Sequence, residues 1–409
     1  MNGEGGSDPA VSSFPGIAAR AAETDAMARI PTQNWREIID CGYLKLFHPP
    51  EIGGTGADAD VQATAMESLA RACPSTFWTV MVSGLLCAKL VSTYGDTTTH
   101  RSLLDDLLSG AKVAAFAVAE RAGGSDSSTY STVVRSAGPG AGFFINGEKA
   151  RITNAPIADV AIVLARRERA DGDAGHEWCL AFVNLHQPGI RRYEFPHMGL
   201  RGMPWGAIVF TDASVNEDNV VPVPIEELFE GIAWGWLKNS FAAIGVAEGA
   251  LAATIRHAQE RVSFGRALGH MEGVQAQIAE SRLQIDASRL LARRALRERV
   301  AGESARNLIA MLKIYSTEMC VDVAARAIQI HGAAGVTQGH EVERLYRDAQ
   351  MHVIGGFTSN RLREHVAENL GVTPVYRTFD WISQAGLGLD VAGRPHLPKG
   401  EGQTPGITT

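Results

Sequence analysis

The order of hydrophobic and polar positions divides the chain into a helical third, a β-rich third and a second helical third. In the first third, apolar residues recur at helical spacing in ADADVQATAMESLARA and PSTFWTVMVSGLLCAKLVSTYG. The middle third contains short β-favouring runs, namely GFFINGEKARIT, VAIVLARR, CLAFVNL and GAIVFT. From about Trp234 to Leu370 the helical spacing returns, and one helix face is expected to carry Val274, Ile278, Ile285, Ala292 and Leu296. The pattern predicts helices, then a small antiparallel sheet unit, then a helical bundle.

Three local features refine this plan. Asn146-Gly147 stands between two β-favouring runs and predicts a hairpin turn, because both turn residues favour positive φ. The apolar run from Phe77 to Val91 is interrupted by polar residues and is too short to cross a bilayer, so a buried helix is expected. From residue 371 onward the chain loses its periodicity and gains Gly and Pro, which is typical of a loosely ordered tail.

Composition and charge argue against several classes of partner. The 409 residues are 45% hydrophobic with a formal net charge of −7, so a large core is expected and a nucleic-acid partner is not. The five cysteines are scattered and form no CxxC pair, which argues against a disulfide framework and a metal site. The N-terminal MNGEGGSDPA lacks the basic and apolar regions of a signal peptide. We therefore expect a cytoplasmic protein with no membrane partner.

Five segments in a fixed order carry a family resemblance. They are PPEIGGTG (49–56), AVAERAGGSD (117–126), INGEKARITNAPIADVAIV (145–163), ERVSFGRALG (260–269) with VQAQIAE (274–280), and IQIHGAAGVTQGHEVERLYRDAQ (328–350). Together they resemble the acyl-CoA dehydrogenase superfamily of FAD flavoproteins, over roughly residues 45–370. The order and spacing of the five segments carry the resemblance, since each segment alone is a weak signal.

The resemblance implies a fold, a cofactor and an assembly. The fold is α+β and multi-domain: an N-terminal α-helical domain at 1–112 with 1–15 disordered, a middle antiparallel β-barrel or sandwich domain at 113–222, a C-terminal four-helix bundle at 223–370, and a tail at 371–409. The cofactor is FAD, and the substrate is an acyl-CoA or an acyl-carrier-protein thioester. The assembly is a homo-oligomer, a dimer or most often a tetramer.

The FAD-binding residues are implied by the same resemblance. Arg261 is also a candidate on chemical grounds, because its guanidinium offers a planar fork of donors to phosphate and no acidic residue lies one helical turn away. Ile152 and Thr153 match the pair that lies against the flavin ring, with Arg151 where the family usually has Trp. The cofactor-binding candidates are Ser125, Ile152, Thr153, Arg261, Phe264, Gln275, Gln329, Gly332 and Thr358.

The candidate substrate-binding residues lie in two loops. Glu120, Gly124 and Asp126 keep the pattern of the family's loop beside flavin and thioester, where glycine lets the backbone approach a ligand closely. Arg201 in GLRGMPWG also fits the family pattern. Retention of both loops favours an acyl thioester as the substrate.

The residue that the family uses as a base is absent from its usual places. Removing a proton next to a thioester carbonyl requires a positioned carboxylate, because that C–H is a weak acid. Alignment on Arg347 puts Gly356 at the family's Glu position, and residues 249–259 of the helix that serves other members contain no Asp or Glu. Another carboxylate such as Glu248 is one explanation. The other explanation is different chemistry with the same flavin, in which His352 is the catalytic candidate. Gly355-Gly356 would then open space beside His352, and His331 is a weaker candidate.

Three functions follow from these alternatives. The leading hypothesis is an FAD-dependent oxidoreductase that acts on an acyl thioester and uses oxygen, as flavin monooxygenases and oxidases do. The second is a conventional acyl-CoA dehydrogenase with an unrecognised base. The third is a catalytically silent scaffold, which the retained FAD motifs argue against. The redox partner is accordingly O2, a flavin reductase or an electron-transfer flavoprotein.

Overall fold

The computed structural model of the protein describes residues 13–124, 129–168 and 176–372. Within them, helices precede a β-sheet unit and a second set of helices follows it, as the hydrophobic pattern predicts. The greater part of the expected tail at 371–409 lies outside the described residues. At the other end, order begins before residue 15, because Phe14 is 6% exposed and its ring packs edge-on against Tyr43.

In the described part of the N-terminal unit, from residue 13 onward, six helices bury their apolar faces against each other. Helix α4 begins after Asp58, whose carboxylate accepts hydrogen bonds from the next turn, and α6 begins after Thr97, which forms a capping box with His100. The helices are α1 (Pro15–Ala19), α2 (Ala21–Met27), α3 (Thr32–Asp40), α4 (Ala59–Ala72), α5 (Pro74–Tyr94) and α6 (Thr98–Ser109).

Helix α5 is the buried helix that the long apolar run predicts. With 21 residues it is long and apolar enough to cross a membrane, so the expectation that the run is too short was wrong. Burial decides its role instead, since 83% of its apolar window lies inside the protein. The helix widens into a π-helical turn at Val82–Cys87, where Gly84 lies directly against Leu44.

The middle unit is an eight-stranded mixed sheet in the order β6-β7-β3-β2-β4-β5-β8, with β1 also paired to β4. Most neighbours are antiparallel, but β1 and β2 both run parallel to β4, so the expected antiparallel sheet is corrected. The residues between β1 and β4 make the long connection that parallel pairing requires. The strands are β1 (Ala114–Ala117), β2 (Val133–Ser136), β3 (Phe143–Thr153), β4 (Val160–Glu168), β5 (His176–Asn184), β6 (Ile190–Glu194), β7 (Trp205–Val215) and β8 (Val220–Pro222).

The hairpin predicted at Asn146-Gly147 was wrong. Both residues lie inside the continuous strand β3, at a register shift against β7 between Ile145 and Gly147. Gly147 has φ +140°, and a Cβ there would lie 2.6 Å from the Thr132 hydroxyl. The glycine therefore serves a β-bulge and a close approach to the chain before β2, which are the other uses of glycine in a strand.

The C-terminal unit is a four-helix bundle with one added short helix. The central helix α7 packs against α8, α9 and α10 of the bundle and also against α4, which joins the bundle to the N-terminal unit. On α8 the predicted face is buried at Ile285, Ala292 and Leu296. The elements are α7 (Ile225–Glu260), the strands β9 (Val262–Ser263) and β10 (Arg266–Ala267), then α8 (Glu272–Val300), α9 (Arg306–His331), α10 (Glu341–Ile354) and α11 (Ser359–Asn369).

Candidate active site

Two buried indole rings border the turn that follows helix α10. Gly356 has φ +66°, a left-handed conformation that glycine adopts without steric cost. A Cβ at Gly356 would lie 3.4 Å from Trp236 Cδ1, and one at Gly355 would lie 3.1 Å from Trp78 Cη2. The space that the two glycines were expected to open is therefore bordered by Trp78 and Trp236: a Cβ at Gly355 would be crowded, whereas one at Gly356 would be in ordinary contact.

Two polar side chains from neighbouring helices hold this turn in place. Asn239 on α7 donates its two amide hydrogens to the carbonyls of His352, at 2.9 Å, and Gly355, at 3.1 Å. Lys313 on α9 donates to the carbonyls of Val353 and Phe357, at 2.9 and 2.7 Å. These bonds satisfy carbonyl groups that the end of a helix leaves unpaired, so the turn is rigid and its groups are pre-organised.

His352 has a defined tautomer. Its Nδ1 lies 2.7 Å from Asn239 Oδ1, and that oxygen must accept because both amide hydrogens of Asn239 are already donated to carbonyls. Nδ1 therefore carries the proton and Nε2 presents a lone pair, which has no hydrogen-bond partner among the described residues. Burial lowers the pKa of His352 to about 3, with the Lys238 and Lys313 cations acting in the same direction, so the ring is neutral.

The nearby carboxylates are committed elsewhere. Both oxygens of Glu248 bind arginines of α8, with Oε1 2.7 Å from Arg282 and Oε2 2.8 Å from Arg289. Asp348 lies one helical turn before His352, where burial raises its pKa to about 6, and it accepts the backbone N–H of Leu200. Glu248 therefore does not occupy the place of the missing base, and Asp348 holds a loop.

The loop that follows β1 is held by a buried ion pair. Lys149 Nζ lies 2.9 Å from Glu120 Oε1, and both side chains are almost completely buried. Glu120 also accepts hydrogen bonds from the backbone of Ser131 and Thr132. Its carboxylate thus shapes the loop, and direct contact with a substrate would require one of these bonds to break.

The remaining substrate candidates lie in the same two loops. Gly124 is exposed, and its carbonyl accepts a 2.7 Å hydrogen bond from the Tyr130 hydroxyl. Asp126, like the cofactor candidate Ser125, lies outside the described residues. Arg201 is half-buried and follows Leu200, whose φ is +55° and whose N–H is held by Asp348. Asp348 therefore fixes the backbone that carries Arg201.

The flavin-ring candidates lie at the end of β3. Ile152 is buried, and Thr153 is half-buried with its hydroxyl 3.6 Å from Met203 Sδ. Arg151 has φ +61° and an exposed side chain, at a register shift between Ala150 and Ile152. This bulge turns the last residues of β3, which is a frequent device beside functional sites.

The candidates for the adenosine diphosphate half of FAD lie on exposed turns and helix ends. Arg261 is exposed and forms no ion pair among the described residues. Phe264, at φ +52° in the turn between β9 and β10, is 93% exposed. A free guanidinium and an uncovered aromatic ring are groups that a diphosphate and an adenine can occupy, so these residues fit the cofactor.

The other cofactor-binding candidates differ in their hydrogen bonds, exposure and backbone conformation. Gln275 donates to the Gly269 carbonyl at 2.8 Å, and Gln329 is exposed near the end of α9. Gly332 has φ +61°, a conformation that disfavours a side chain. Thr358 caps α11 through its hydroxyl, which accepts from the Arg361 N–H. Thr358 directly follows the turn after α10, whereas the other three lie on α8 and at the end of α9.

His331 stands apart from the His352 turn. It is the last residue of α9, and its Nδ1 lies 2.7 Å from the Ala327 carbonyl. Its ring stacks on His257 at 4.1 Å and meets His340 at 5.1 Å. These contacts give His331 a place in a histidine cluster near Arg261.

Family profiles match almost the whole described chain in the expected order. The acyl-CoA dehydrogenase N-terminal domain matches residues 16–111, the middle domain residues 115–213 and the C-terminal domain residues 229–371. The chain belongs to the acyl-CoA dehydrogenase family. It is therefore an FAD-dependent oxidoreductase of the acyl-CoA dehydrogenase type.

Individual acyl-CoA dehydrogenase relatives agree with this placement. Human mitochondrial short-chain specific acyl-CoA dehydrogenase is 29% identical over 354 residues, covering 86% of this chain and 85% of that protein. The caffeyl-CoA reductase-Etf complex subunit CarC of Acetobacterium woodii is 28% identical, covering 82% of this chain and 89% of its own. The structure of butyryl-CoA dehydrogenase from Megasphaera elsdenii superposes with a TM-score of 0.81 at 24% identity, covering 87% and 94%, a likeness of fold.

Sequence reasoning missed Lys238, which lies beside the His352 turn. Its side chain is 2% exposed, and its Nζ lies 3.4 Å from the ring centroid of Trp78. The signal was present as a lysine in the apolar stretch WGWLKNSFAAIG, since a lysine is rarely buried without a reason.

Proposed function

We propose that the protein interconverts saturated and α,β-unsaturated acyl-CoA thioesters, with His352 in place of the usual carboxylate. The observation that carries this proposal is the neutral His352 ring in the last turn of α10, four residues before Gly356, whose Nε2 lone pair has no partner among the described residues. The relatives are dehydrogenases and reductases of acyl-CoA thioesters, and they give no support for an oxygen-using reaction.

His352 and Asn239 have different roles in the proposed proton transfer. FAD, when bound, supplies the acceptor or donor of hydride at the β-carbon. His352 Nε2 takes the proton from the α-carbon in dehydrogenation and returns it in reduction. Asn239 keeps Nδ1 protonated and so keeps the lone pair on Nε2, the role that a second hydrogen-bonded group plays in setting a histidine tautomer.

The redox partner that fits this reaction is an electron-transfer flavoprotein. One relative is named as a subunit of a reductase–Etf complex, and that name supports the same class of partner here. We further propose a homo-oligomer. Its support is the uncovered Phe264 ring and the exposed leucines Leu283 and Leu290, seven residues apart on α8.

The test removes Nε2 and then supplies a carboxylate. His352→Asn keeps a donor for Asn239 Oδ1 and deletes the lone pair, so we expect single-turnover reduction of the flavin by acyl-CoA to slow about 10²-fold or more. His186→Asn, on an exposed histidine paired with Asp159, is the matched control and should leave the rate unchanged.

Adding Gly356→Glu to His352→Asn should restore part of the lost rate. Position 356 is where the family carries its carboxylate, and the strain of placing Glu at φ +66° is about 1 kcal/mol. A His352→Asn variant with the wild-type rate would refute the assignment of the base. Loss of FAD in that variant would require the same comparison in a Gln variant.

A further inference from the structure

Lys238 is a buried amine without a polar partner. It lies on α7 with 2% of its surface exposed, and its Nζ makes no hydrogen bond to any described residue. Its Nζ lies over the face of Trp78, 3.4 Å from the ring centroid, and interacts electrostatically with the buried Cys87. The attraction of an aromatic face does not offset the loss of hydration of an ammonium, and burial lowers the pKa of Lys238 to about 7, so its protonated form needs a counter-charge.

Lys238 is one of several buried lysines that have no carboxylate partner. Lys89, Lys238 and Lys313 are largely buried, and within the described chain none of them forms a salt bridge. Lys313 is bound to two carbonyls and Lys89 to one, whereas Lys238 has none. Lys149 in the sheet shows the contrasting case, a buried lysine matched by a carboxylate.

Two unpartnered donors lie on the helices that carry Lys238 and Trp78. The indole N–H groups of Trp78, on α5, and Trp236, on α7, are buried without acceptors among the described residues. These rings border Gly355 and Gly356. The two unmatched donors, and an amine whose protonated form lacks a carboxylate partner among the described residues, favour a ligand group that accepts hydrogen bonds and carries negative charge.

We propose that Lys238 binds a carboxylate at the far end of a short acyl chain, so that the preferred substrate is the mono-CoA thioester of a dicarboxylic acid. This inference rests on the proposed acyl-CoA reaction and names its substrate class. Trp78 sets the length, because its ring edge borders Gly355 while Lys238 lies over its face. The carboxylate would stand about one indole ring away from the reacting carbons.

The same contact would help the proton transfer. Lys238 is one of the cations that hold down the pKa of His352, after burial itself. A substrate carboxylate beside Lys238 offsets that positive field, which makes His352 Nε2 a stronger proton acceptor. A substrate that ends in a methyl group leaves the field in place, so discrimination extends to the chemical step as well as to binding.

The experiment compares two acyl-CoAs of equal chain length, one ending in a carboxylate and one in a methyl group, on the FAD-loaded protein. We expect wild type to favour the carboxylate-ended thioester in kcat/KM, and Lys238→Met to lose about 30-fold on that substrate with no loss on the methyl-ended one, for which removing the cation only weakens the field that lowers the pKa of His352. Lys89→Met, another buried lysine over a tryptophan, is the matched control and should not change the preference.

Binding measured without turnover separates this inference from the proposed function. If the carboxylate-ended thioester binds more tightly in a Lys238-dependent way but no acyl-CoA reacts, the substrate-class inference stands and the proposed reaction fails. Equal binding and equal rates for the two thioesters in wild type, or an equal loss on both in Lys238→Met, would overturn the role assigned to Lys238. FAD content and thermal midpoint of each variant show that the fold is retained.

Discussion

At the scale of single residues, the molecule contains two kinds of buried lysine, with and without a carboxylate. Burial raises the pKa of Glu120, yet the Lys149 ammonium and hydrogen bonds outweigh that effect and hold it below its usual value. Burial lowers the pKa of Lys149 to about 8 in spite of Glu120. Lys149 and Glu120 thus neutralise each other inside the sheet, whereas Lys238 has no carboxylate partner among the described residues.

The ion pair gives a stability prediction. Lys149→Met leaves the Glu120 carboxylate buried without its cation, so the free energy of unfolding should fall by about 3–5 kcal/mol. Glu120→Gln added to Lys149→Met should recover part of that loss, because no unpaired charge remains. Urea unfolding of the two single variants and the double variant measures the coupling, and additive losses would contradict a direct interaction.

Arg261 gives a prediction about the cofactor. Arg261→Ala removes an exposed, unpaired guanidinium, and FAD affinity should fall by about 1.5–3 kcal/mol if it contacts phosphate. Arg256→Ala, five residues earlier and paired with Glu341, is the control and should change FAD affinity little. Titration of the apoprotein with FAD measures both, and an unchanged affinity in Arg261→Ala would remove it from the site.

At the scale of elements, helix α5 depends on a close approach at its π-helical turn. A Cβ at Gly84 would lie 2.3 Å from Leu44 Cδ2, and the Gly84 carbonyl is 2.6 Å from His48 Nε2. Gly84→Ala should therefore lower the free energy of unfolding by about 1–3 kcal/mol. Gly273→Ala, in α8 with open space around it, should be neutral or stabilising by up to about 1 kcal/mol. Similar effects from both would contradict the packing explanation.

The same element scale shows how far the sequence predicts the fold. Helical spacing correctly predicts α4, α5 and the buried face of α8, since burial follows local periodicity. The hairpin prediction at Asn146-Gly147 was wrong because glycine is used in β-bulges as well as in turns. Which of the two forms depends on the contact with Thr132, which is distant in sequence. The parallel pairing of β1 and β2 with β4 is likewise a long-range feature that no local pattern encodes.

The site was predictable only in part, for a similar reason. Gly356 and His352 could be named from one short stretch of sequence, and the structure places both at the end of α10, Gly356 at φ +66°. The tautomer of His352 depends on Asn239, and the charge around it depends on Lys238 and Lys313, which come from other helices. These contacts exist only once α7, α9 and α10 are packed.

At the scale of the whole molecule, buried histidines predict instability in acid. Burial lowers the pKa of His48 to about 4, of His352 to about 3 and of His365 to about 4. Unfolded histidines bind protons below about pH 6.5, so the unfolded state gains protons that the folded state refuses, and stability is lost as pH falls from about 6.5 to 4. Asp348, with its pKa raised to about 6, acts in the opposite direction.

The net effect is measurable by denaturant unfolding at two pH values. The three histidines lower the free energy of unfolding as the pH falls from 7 to 5, and Asp348 offsets part of that loss. The net decrease is up to about 4 kcal/mol. His352→Asn removes one of the three and should reduce this difference by up to about 2 kcal/mol. Equal stability at the two pH values would show that these rings are not buried in the neutral form.

The most direct test of the central claim is anaerobic mixing of the oxidised, FAD-loaded protein with acyl-CoA thioesters, followed in the visible flavin absorbance. We predict that a saturated thioester bleaches the flavin without oxygen, that the matching enoyl-CoA reoxidises the reduced protein, and that His352→Asn slows both. If no thioester changes the flavin until an external reductant is added, and oxygen then produces a product, the claim of reversible dehydrogenation with His352 as base is contradicted.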